Sequence, residues 1–254
     1  MSGPILSRRR LLGAGALGTG GLLLSGRHRL NRSAAFRDAL QGAEGLHMRA
    51  QRLIAGDALA REYAEAQMSP EFRANGNRDV ADATYRQHAD AGFAQWALVV
   101  DGLVRRPLAL PLSALKALPQ RAQITRHDCV EGWSAIGKWQ GPQLSRVLAM
   151  AGLLPAARYA VFHCADRFGD TPYYESIDLI DAFHPQTILA WRMNGQPLPV
   201  AHGAPLRLRV ERQLGYKHAK YVMRIELRAT LAGLYGGKGG YWEDAGDYAW
   251  YAGI

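Results

Sequence analysis

The chain has 254 residues, of which 48% are hydrophobic, so it can bury a full core and is not a disordered tail. Its formal net charge is +9, and four of the positive charges lie in the first 27 residues, which contain no Asp or Glu. The remaining positive charge is spread along the chain without a basic block interleaved with aromatics. This pattern disfavours nucleic-acid binding and favours a small anionic substrate or an acidic protein partner.

Residues 1–27 are predicted to be a twin-arginine export signal. Arg8, Arg9 and Arg10 precede a weakly apolar, Gly-rich stretch at residues 11–24. A helix of that length spans about 21 Å, which is too short for a hydrocarbon core of about 30 Å, so a transmembrane anchor is not expected. We therefore expect a periplasmic protein, with the signal either cleaved or retained as a membrane attachment. An ordinary basic N-terminus beside a short helix is the alternative.

Residues 28–69 form a predicted helical N-terminal segment, read as two short helices because glycines interrupt it. Residues 70–254 are predicted to form one domain. Within it, residues 96–110 predict a hairpin with a turn at Asp101–Gly102, and Ser113 predicts the cap of a short helix that stops at Pro119.

The second half of the chain continues the mixture of strands and turns. Residues 141–153 space Leu144, Val147, Leu148 and Met150 as one helix face, and residues 159–166 form an apolar run of strand length. Asn194–Gly195 predicts a second hairpin, and residues 204–211 alternate apolar side chains with arginines, which predicts one buried face and one charged face. The predicted fold class is α+β with a mixed sheet. The aromatic, Gly-rich last twenty residues are predicted to pack on the domain's own sheet, or else to cover a site.

Cys129 and Cys164 are the two cysteines, and chemistry alone leaves four roles for Cys129. It could form a disulfide with Cys164, join nearby histidines in a zinc site, or act as a nucleophile with His127 as base and Arg126 favouring the thiolate. It could also be the single thiolate ligand of a metal whose other ligands belong to an organic cofactor. The residues themselves leave these alternatives open.

Two blocks of sequence resemble the sulfite oxidase superfamily of molybdopterin enzymes, in particular its small bacterial exported branch, which includes methionine sulfoxide reductases. The first is RHDCVEGWSAIGKWQGPQL, which begins at Arg126, and the second runs from Leu198 to Leu227. The resemblance implies a sulfite-oxidase-type molybdopterin-binding domain, without the C-terminal dimerisation domain of larger members.

The resemblance also implies the site. Cys129 corresponds to the cysteine that ligates molybdenum. Arg126 and His127, which precede it in the loop, are the other candidate catalytic residues. The residues implied to contact the cofactor are Asn75, Cys164, His202, Arg207, His218, Ala219 and Lys220. His202 stands where the sulfoxide reductases have asparagine, and Cys164 lies where a cofactor-contacting threonine is expected.

The implied activity is two-electron oxygen-atom transfer on a small sulfur-type substrate, as in sulfite oxidases. A reductase of methionine sulfoxide or other S- or N-oxides is the alternative with the same cofactor, and a metal-free exported binding domain held by a Cys129–Cys164 disulfide is the alternative from another class. The sequence has no C-x-x-C-H motif, so no haem is expected in this chain. By analogy with the family, the redox partner is expected to be a membrane b-type cytochrome or a soluble cytochrome.

Overall fold

A computed structural model describes residues 34–56 and 58–254, with side chains from residue 42 onward. The predicted twin-arginine signal at residues 1–27 lies outside the described residues. The chain divides into two compact units, one ending at Gly56 and one beginning at Asp57, which are described separately.

The first unit contains one long helix, α1 (Ala34–Ala55), where the sequence predicted two short helices. Gly42 and Gly45 lie inside this helix. Each costs only about 1 kcal/mol relative to Ala, and the Ala/Leu/Arg-rich surroundings offset that cost. Gly56, at a φ of +40°, follows the helix end. Among the described helices, none is both long and apolar enough to cross a bilayer.

The second unit begins with irregular structure. Residues 58–69 contain only a single turn of 3-10 helix, Glu65–Gln67, and Glu62 forms an isolated bridge with Thr125. Helix α2 (Ala83–Asp90) follows, and the Asp82 carboxylate caps it by accepting a hydrogen bond from the Tyr85 backbone N–H at 2.8 Å.

A five-stranded mixed sheet forms the larger layer, in the order β2–β1–β11–β5–β6. β1 and β11 are parallel, and the other neighbouring pairs are antiparallel. The strands are β1 (Ala97–Gly102), β2 (Leu108–Pro111), β5 (Tyr159–Phe168), β6 (Thr171–Asp178) and β11 (Val222–Arg228).

A four-stranded sheet and a two-stranded sheet complete the strands of the described residues. The four-stranded order is β3–β4–β8–β9, and the hairpin of β3 and β4 carries Cys129 at its tip. The strands are β3 (Gln120–Asp128), β4 (Ser134–Pro142), β8 (Arg192–Met193) and β9 (Gln196–Pro197), with β7 (Ile188–Ala190) pairing β10 (Arg207–Arg209). The remaining helices are α3 (Leu112–Ala117), α4 (Leu144–Ala151), α5 (Leu179–Ala182) and α6 (Tyr241–Gly246).

The hairpin prediction at Asn194–Gly195 is confirmed. Met193 pairs with Gln196, and both turn residues have positive φ, which is what a two-residue turn between twisted strands requires. The predicted turn at Asp101–Gly102 is wrong, because β1 runs through both residues beside β11. Gly102 is needed there since an added Cβ would lie 2.4 Å from the Leu227 carbonyl oxygen.

Two helix predictions need correction. Helix α3 begins at Leu112 after Pro111, so Ser113 lies within it and is not its cap. On α4 the buried face ends with Ala151, whereas Met150 is exposed, because positions i, i+3, i+4 and i+7 share one face of a helix. That face packs into the main core beside β1, β5 and β11.

Candidate cofactor site

Six separate segments meet around one open cavity of about 680 Å³, a volume that includes the solvent space at its mouth. They are the loop at residues 75–77, the β3–β4 loop, the end of β5, the start of β6, the segment before β11 and the region around α6. The lining residues are Asn75, Gly76, Asn77, Cys129, Val130, Glu131, Asp166, Phe168, Tyr173, Tyr216, His218, Lys220, Trp242 and Tyr248.

Cys129 occupies a tight turn at the tip of the β3–β4 hairpin. Its backbone N–H donates to the Trp133 carbonyl at 2.9 Å, and its carbonyl accepts from the Gly132 N–H at 3.0 Å. Burial is the main factor that raises the pKa of the Cys129 thiol, so the free protein holds it protonated. A soft metal ion would displace that proton and bind the thiolate.

The Cys129–Cys164 disulfide of the metal-free alternative is wrong, because both cysteines are free. Zinc finds no support either: the described part of the chain contains no group of three or more His, Cys, Asp or Glu side chains placed to hold a metal ion. A disulfide needs a second cysteine and a zinc site needs further metal-binding side chains. The role of Cys129 as a single thiolate ligand to a cofactor's metal needs neither.

His127 lies behind Cys129 as a buried, neutral ring. Nη1 of Arg209 lies 3.0 Å from His127 Nδ1, and a guanidinium only donates, so Nδ1 accepts and the proton sits on Nε2. Burial, and then the charge of Arg209, holds the pKa of His127 well below its ordinary value. Nε2 has no hydrogen-bond partner among the described residues, and Gly215 packs so closely that an added Cβ would lie 2.5 Å from it.

Arg209 is itself held rigidly by Glu211. Its Nε donates to Glu211 Oε1 at 2.9 Å and its Nη2 donates to Oε2 at 2.6 Å, with both side chains fully buried. This bidentate pair fixes the fork that sets the orientation and tautomer of His127.

His218 is the complementary ring on the cavity wall, with its centroid 5.1 Å from that of His127. Its Nε2 lies 3.0 Å from the Gln213 carbonyl, which can only accept, so Nε2 carries the proton. Burial lowers the pKa of His218 well below its ordinary value, which leaves Nδ1 as an acceptor without a partner in the described structure. The two rings thus present one free donor and one free acceptor.

Arg207 is fully buried, although the alternation in residues 204–211 predicted a charged face. That prediction is wrong because β10 is covered on both faces, with the Arg207 guanidinium 4.9 Å above the Trp139 ring. Its Nη1 donates to the His202 carbonyl at 3.1 Å and its Nη2 donates to the His218 carbonyl at 3.4 Å, while Nε has no partner in the described structure. Burial, and then Arg209, lowers the pKa of Arg207 to about 9.

Lys220 is a second buried cation, and its hydrogen bonds go to backbone carbonyls. Its Nζ donates to the carbonyl of Ala201 at 2.9 Å and to that of Asn77. Burial, and then Arg207, lowers the pKa of Lys220 to about 7. His202, with an unpartnered Nδ1, has its pKa lowered to about 4 mainly by burial.

Asp166 was not singled out from the sequence. A bulge in β5 between His163 and Arg167 turns it toward the cavity, where its Oδ2 accepts from Asn77 Nδ2 at 3.0 Å. Its Oδ1 and the Oδ1 of Asn75 have no partner in the described structure, and burial raises the pKa of Asp166 to about 6.

Asn75, Asp166 and His218 therefore line the cavity with polar atoms that the protein itself leaves unsatisfied. The unpartnered atoms of His127, His202 and Arg207 belong to residues outside its lining. Buried polar groups are almost always hydrogen-bonded, so a concentration of unpartnered ones marks a place where a ligand completes them. Buried cations bonded mainly to carbonyls favour an anionic group such as a phosphate. The fit is to a polar, anionic cofactor whose metal reaches Cys129.

Four of the predicted site residues line the cavity: Asn75, Cys129, His218 and Lys220. His127 and Arg207 do not line it but contact His218 from behind, and the His202 carbonyl accepts a hydrogen bond from Arg207.

The other three predicted residues lie elsewhere. Arg126 is half-exposed, pairs with Asp128 at 2.9 Å and lines a separate shallow cavity, because it alternates with the inward-facing His127 along β3. Cys164 lies opposite Val222 and packs against the main core. The Ala219 side chain is in the core, between the inward-facing His218 and Lys220. None of the three side chains lines the cavity.

Half of the lining residues that the sequence analysis missed are aromatic. Trp242 and Tyr248 come from the tail that was predicted to pack on its own sheet or to cover a site, and they border the cavity. The Gly-rich loops around them were the available signal, but the sequence does not say which surface a loop will cover.

Three comparisons with known proteins identify similar chains and a similar fold. Residues 85–233 match the family described as the oxidoreductase molybdopterin binding domain. A protein of Azospira oryzae named protein-methionine-sulfoxide reductase subunit YedZ1 is 45% identical over 160 residues, or 63% of this chain and 56% of the relative. The chain thus spans just over half the length of that relative.

A solved structure shares the fold. The sulfane dehydrogenase SoxCD from Paracoccus pantotrophus superposes with a TM-score of 0.50 at 23% identity, covering 54% of this chain and 39% of that chain. The predicted α+β fold class, with a molybdopterin-binding domain of sulfite-oxidase type, is confirmed.

Proposed function

Because the chain belongs to the family of oxidoreductase molybdopterin-binding domains, we propose that it transfers an oxygen atom at a sulfur centre, with Cys129 as the protein ligand to molybdenum. The observation that carries the proposal is the meeting of the Cys129 thiol with buried, unpartnered polar groups in one cavity. When bound, the cofactor supplies the two-electron chemistry.

The chain's own groups account for binding and orientation. The planar fork of Arg207 and the point charge of Lys220 suit the phosphate of the pterin. The His218 Nδ1, on the lining of the cavity, offers an acceptor to the cofactor's polar edges. Arg209 and Glu211 keep the neighbouring His127 in one tautomeric state, so the protein around the site is preorganised.

Two directions of reaction use this machinery. Reduction of an S-oxide consumes two electrons and two protons and yields a thioether and water. Oxidation of sulfite takes an oxygen atom from water, yields sulfate and releases two electrons and two protons. The S-oxide direction is favoured here because Glu131 and Asp166 line the cavity that contains Cys129, and carboxylates repel an anion such as sulfite. The name of the Azospira oryzae relative supports the same direction.

The electrons are proposed to come from a separate redox protein, either a membrane b-type cytochrome or a soluble cytochrome. The support is that the Azospira oryzae relative is named as a subunit. Export to the periplasm by the twin-arginine route is proposed on Arg8, Arg9 and the apolar stretch that follows them.

The proposal is tested by Cys129→Ala in protein purified from a molybdenum-replete host. We expect turnover to be abolished and the electron paramagnetic resonance signal of molybdenum to change, because the thiolate ligand is lost. Cys164→Ala is the matched control and should keep the metal content and the signal. Full activity and native molybdenum content in Cys129→Ala would refute the assignment. Assays with reduced viologen and a sulfoxide, against sulfite and ferricyanide, decide the direction.

A further inference from the structure

The region around α6 contributes two large aromatics to the cavity that holds Cys129. Trp242 and Tyr248 both line it, and both follow the part of the chain, residues 85–233, that matches the family. They are half-buried, so each ring keeps part of its surface free. This segment is therefore placed to act on whatever approaches Cys129 from the mouth.

The Trp242 and Tyr248 rings stack on each other, and two further aromatic rings meet them edge-on. The centroids of Trp242 and Tyr248 are 5.7 Å apart with planes 22° from parallel, and Tyr216 meets Tyr248 edge-on at 5.1 Å. Phe168 meets Trp242 edge-on at 5.3 Å. We call Trp242, Tyr248, Tyr216 and Phe168 the aromatic wall. Stacked rings with fixed edges lose little conformational entropy when a ligand binds, and sulfur interacts favourably with such rings.

A buried ion cluster anchors the aromatic wall. Lys217 Nζ lies 2.6 Å from Glu175 and also pairs with Glu243, and all three side chains are fully buried. Lys217 follows Tyr216 and Glu243 follows Trp242, so the pair ties the two parts of the wall together. Gly240 packs on the carboxylates, since an added Cβ would lie 2.1 Å from Glu243 Oε2.

Further contacts hold the end of the segment. The Trp250 indole N–H donates to Ser176 Oγ at 2.9 Å. The Leu214 N–H donates to the Ala252 carbonyl at 2.9 Å, and the Ile254 N–H donates to the Arg212 carbonyl at 3.0 Å. A segment fixed at so many points presents its rings in one arrangement.

From this placement, and resting on the proposed function, we infer that the aromatic wall is the substrate-recognition surface and selects a neutral alkyl sulfoxide of side-chain size, such as an oxidised methionine residue. In the proposed function Lys220, the cation of the lining, binds the phosphate of the pterin, so Glu131 and Asp166 give the rest of the cavity negative character. Aromatic faces and carboxylates together favour a neutral, polarisable group over an anion. A substrate too small to contact the aromatic wall gains little binding free energy from it.

The test compares Trp242→Ala and Tyr248→Ala with the unmodified holoenzyme, using N-acetyl-methionine sulfoxide and dimethyl sulfoxide as probes. We expect kcat/KM for the larger probe to fall about tenfold or more in each variant, mainly through KM, because sulfur–aromatic and apolar contacts are lost. Dimethyl sulfoxide should change by less than about threefold, on the same contact argument. Calorimetric binding of the larger probe to the oxidised holoenzyme should weaken by the same factor, and Trp242→Phe should restore most of it.

Tyr235→Ala is the matched control, since this tyrosine belongs to the same region but is half-exposed and does not line the cavity. Equal losses for both probes, loss of molybdenum in the wall variants, or unchanged binding of the larger probe would each overturn the inference. Failure of the proposed function has a different signature, because the unmodified enzyme would then bear molybdenum yet reduce neither sulfoxide.

Discussion

Lys217 and Lys220 are both buried, but only Lys217 has carboxylates as partners. Lys217 is fully buried between Glu175 and Glu243, and those carboxylates raise its pKa against the effect of burial. Lys220 is 5% exposed, donates to two carbonyls and has its pKa lowered to about 7. The pKa values of the two lysines shift in opposite directions because their partners differ, since both side chains are buried.

That difference separates a group that stabilises the fold from a group held for a ligand. Burying a cation costs several kcal/mol unless opposite charge and hydrogen bonds offset it. For Lys217 the protein provides both. Lys220 and Arg207 receive mainly carbonyls, so an anionic cofactor is what completes their surroundings.

The largest expected effect follows from removing the paired cation. Lys217→Met leaves Glu175 and Glu243 without their counter-ion, and breaking such a buried pair costs about 3–5 kcal/mol. The free energy of unfolding, measured by urea denaturation at pH 7, should fall by that amount. Lys138→Met, which breaks an exposed pair with Glu65, is the control and should change little because solvent screens it. If the two variants unfolded alike, the stabilising role of Lys217 would be disproved.

Removing an unpaired cation should act on the cofactor instead. In Arg207→Ala, cofactor affinity is expected to fall by about 2–4 kcal/mol, or roughly 30- to 1000-fold, because a charged fork is lost from the phosphate. Molybdenum by mass spectrometry and pterin by fluorescence measure it. Arg207→Lys should be intermediate, and the exposed Arg146→Ala should match the unmodified protein. If folded Arg207→Ala kept the wild-type cofactor content, the proposed role of Arg207 in cofactor binding would be wrong.

The smallest effect concerns pH. The folded pKa of Lys220, about 7, lies below the unfolded value of about 10.4, so between these pH values the unfolded chain holds a proton that the folded chain lacks. The stability of the cofactor-free protein should therefore rise from pH 7 toward pH 10, and the cost of burial is fully present below pH 7. Lys220→Met should remove this slope, stabilise the cofactor-free protein at pH 7 by about 1 kcal/mol and weaken cofactor retention. An unchanged slope in denaturation series at several pH values would contradict it.

Much of the fold was readable from local pattern. The apolar spacing of α4, the Asn194–Gly195 hairpin and the strand at β5 follow from periodicity and turn chemistry that act over a few residues. The Asp101–Gly102 turn failed because β1 pairs with β11, a contact more than one hundred residues away that local pattern does not encode.

The candidate site likewise has features that the sequence predicts and features that only contacts between distant segments decide. The family and the cofactor could be inferred from sequence, because the blocks around Cys129 and Arg207 resemble those of known molybdopterin enzymes, whereas residue chemistry alone left the role of Cys129 open. Tertiary structure alone decided which side chains face the cavity: Arg126, Cys164 and Ala219 turn away, while Asp166 and Trp242 turn in. The physical reason is that strand alternation, a bulge and the docking of a distant tail set direction, and each depends on contacts between segments far apart in the chain.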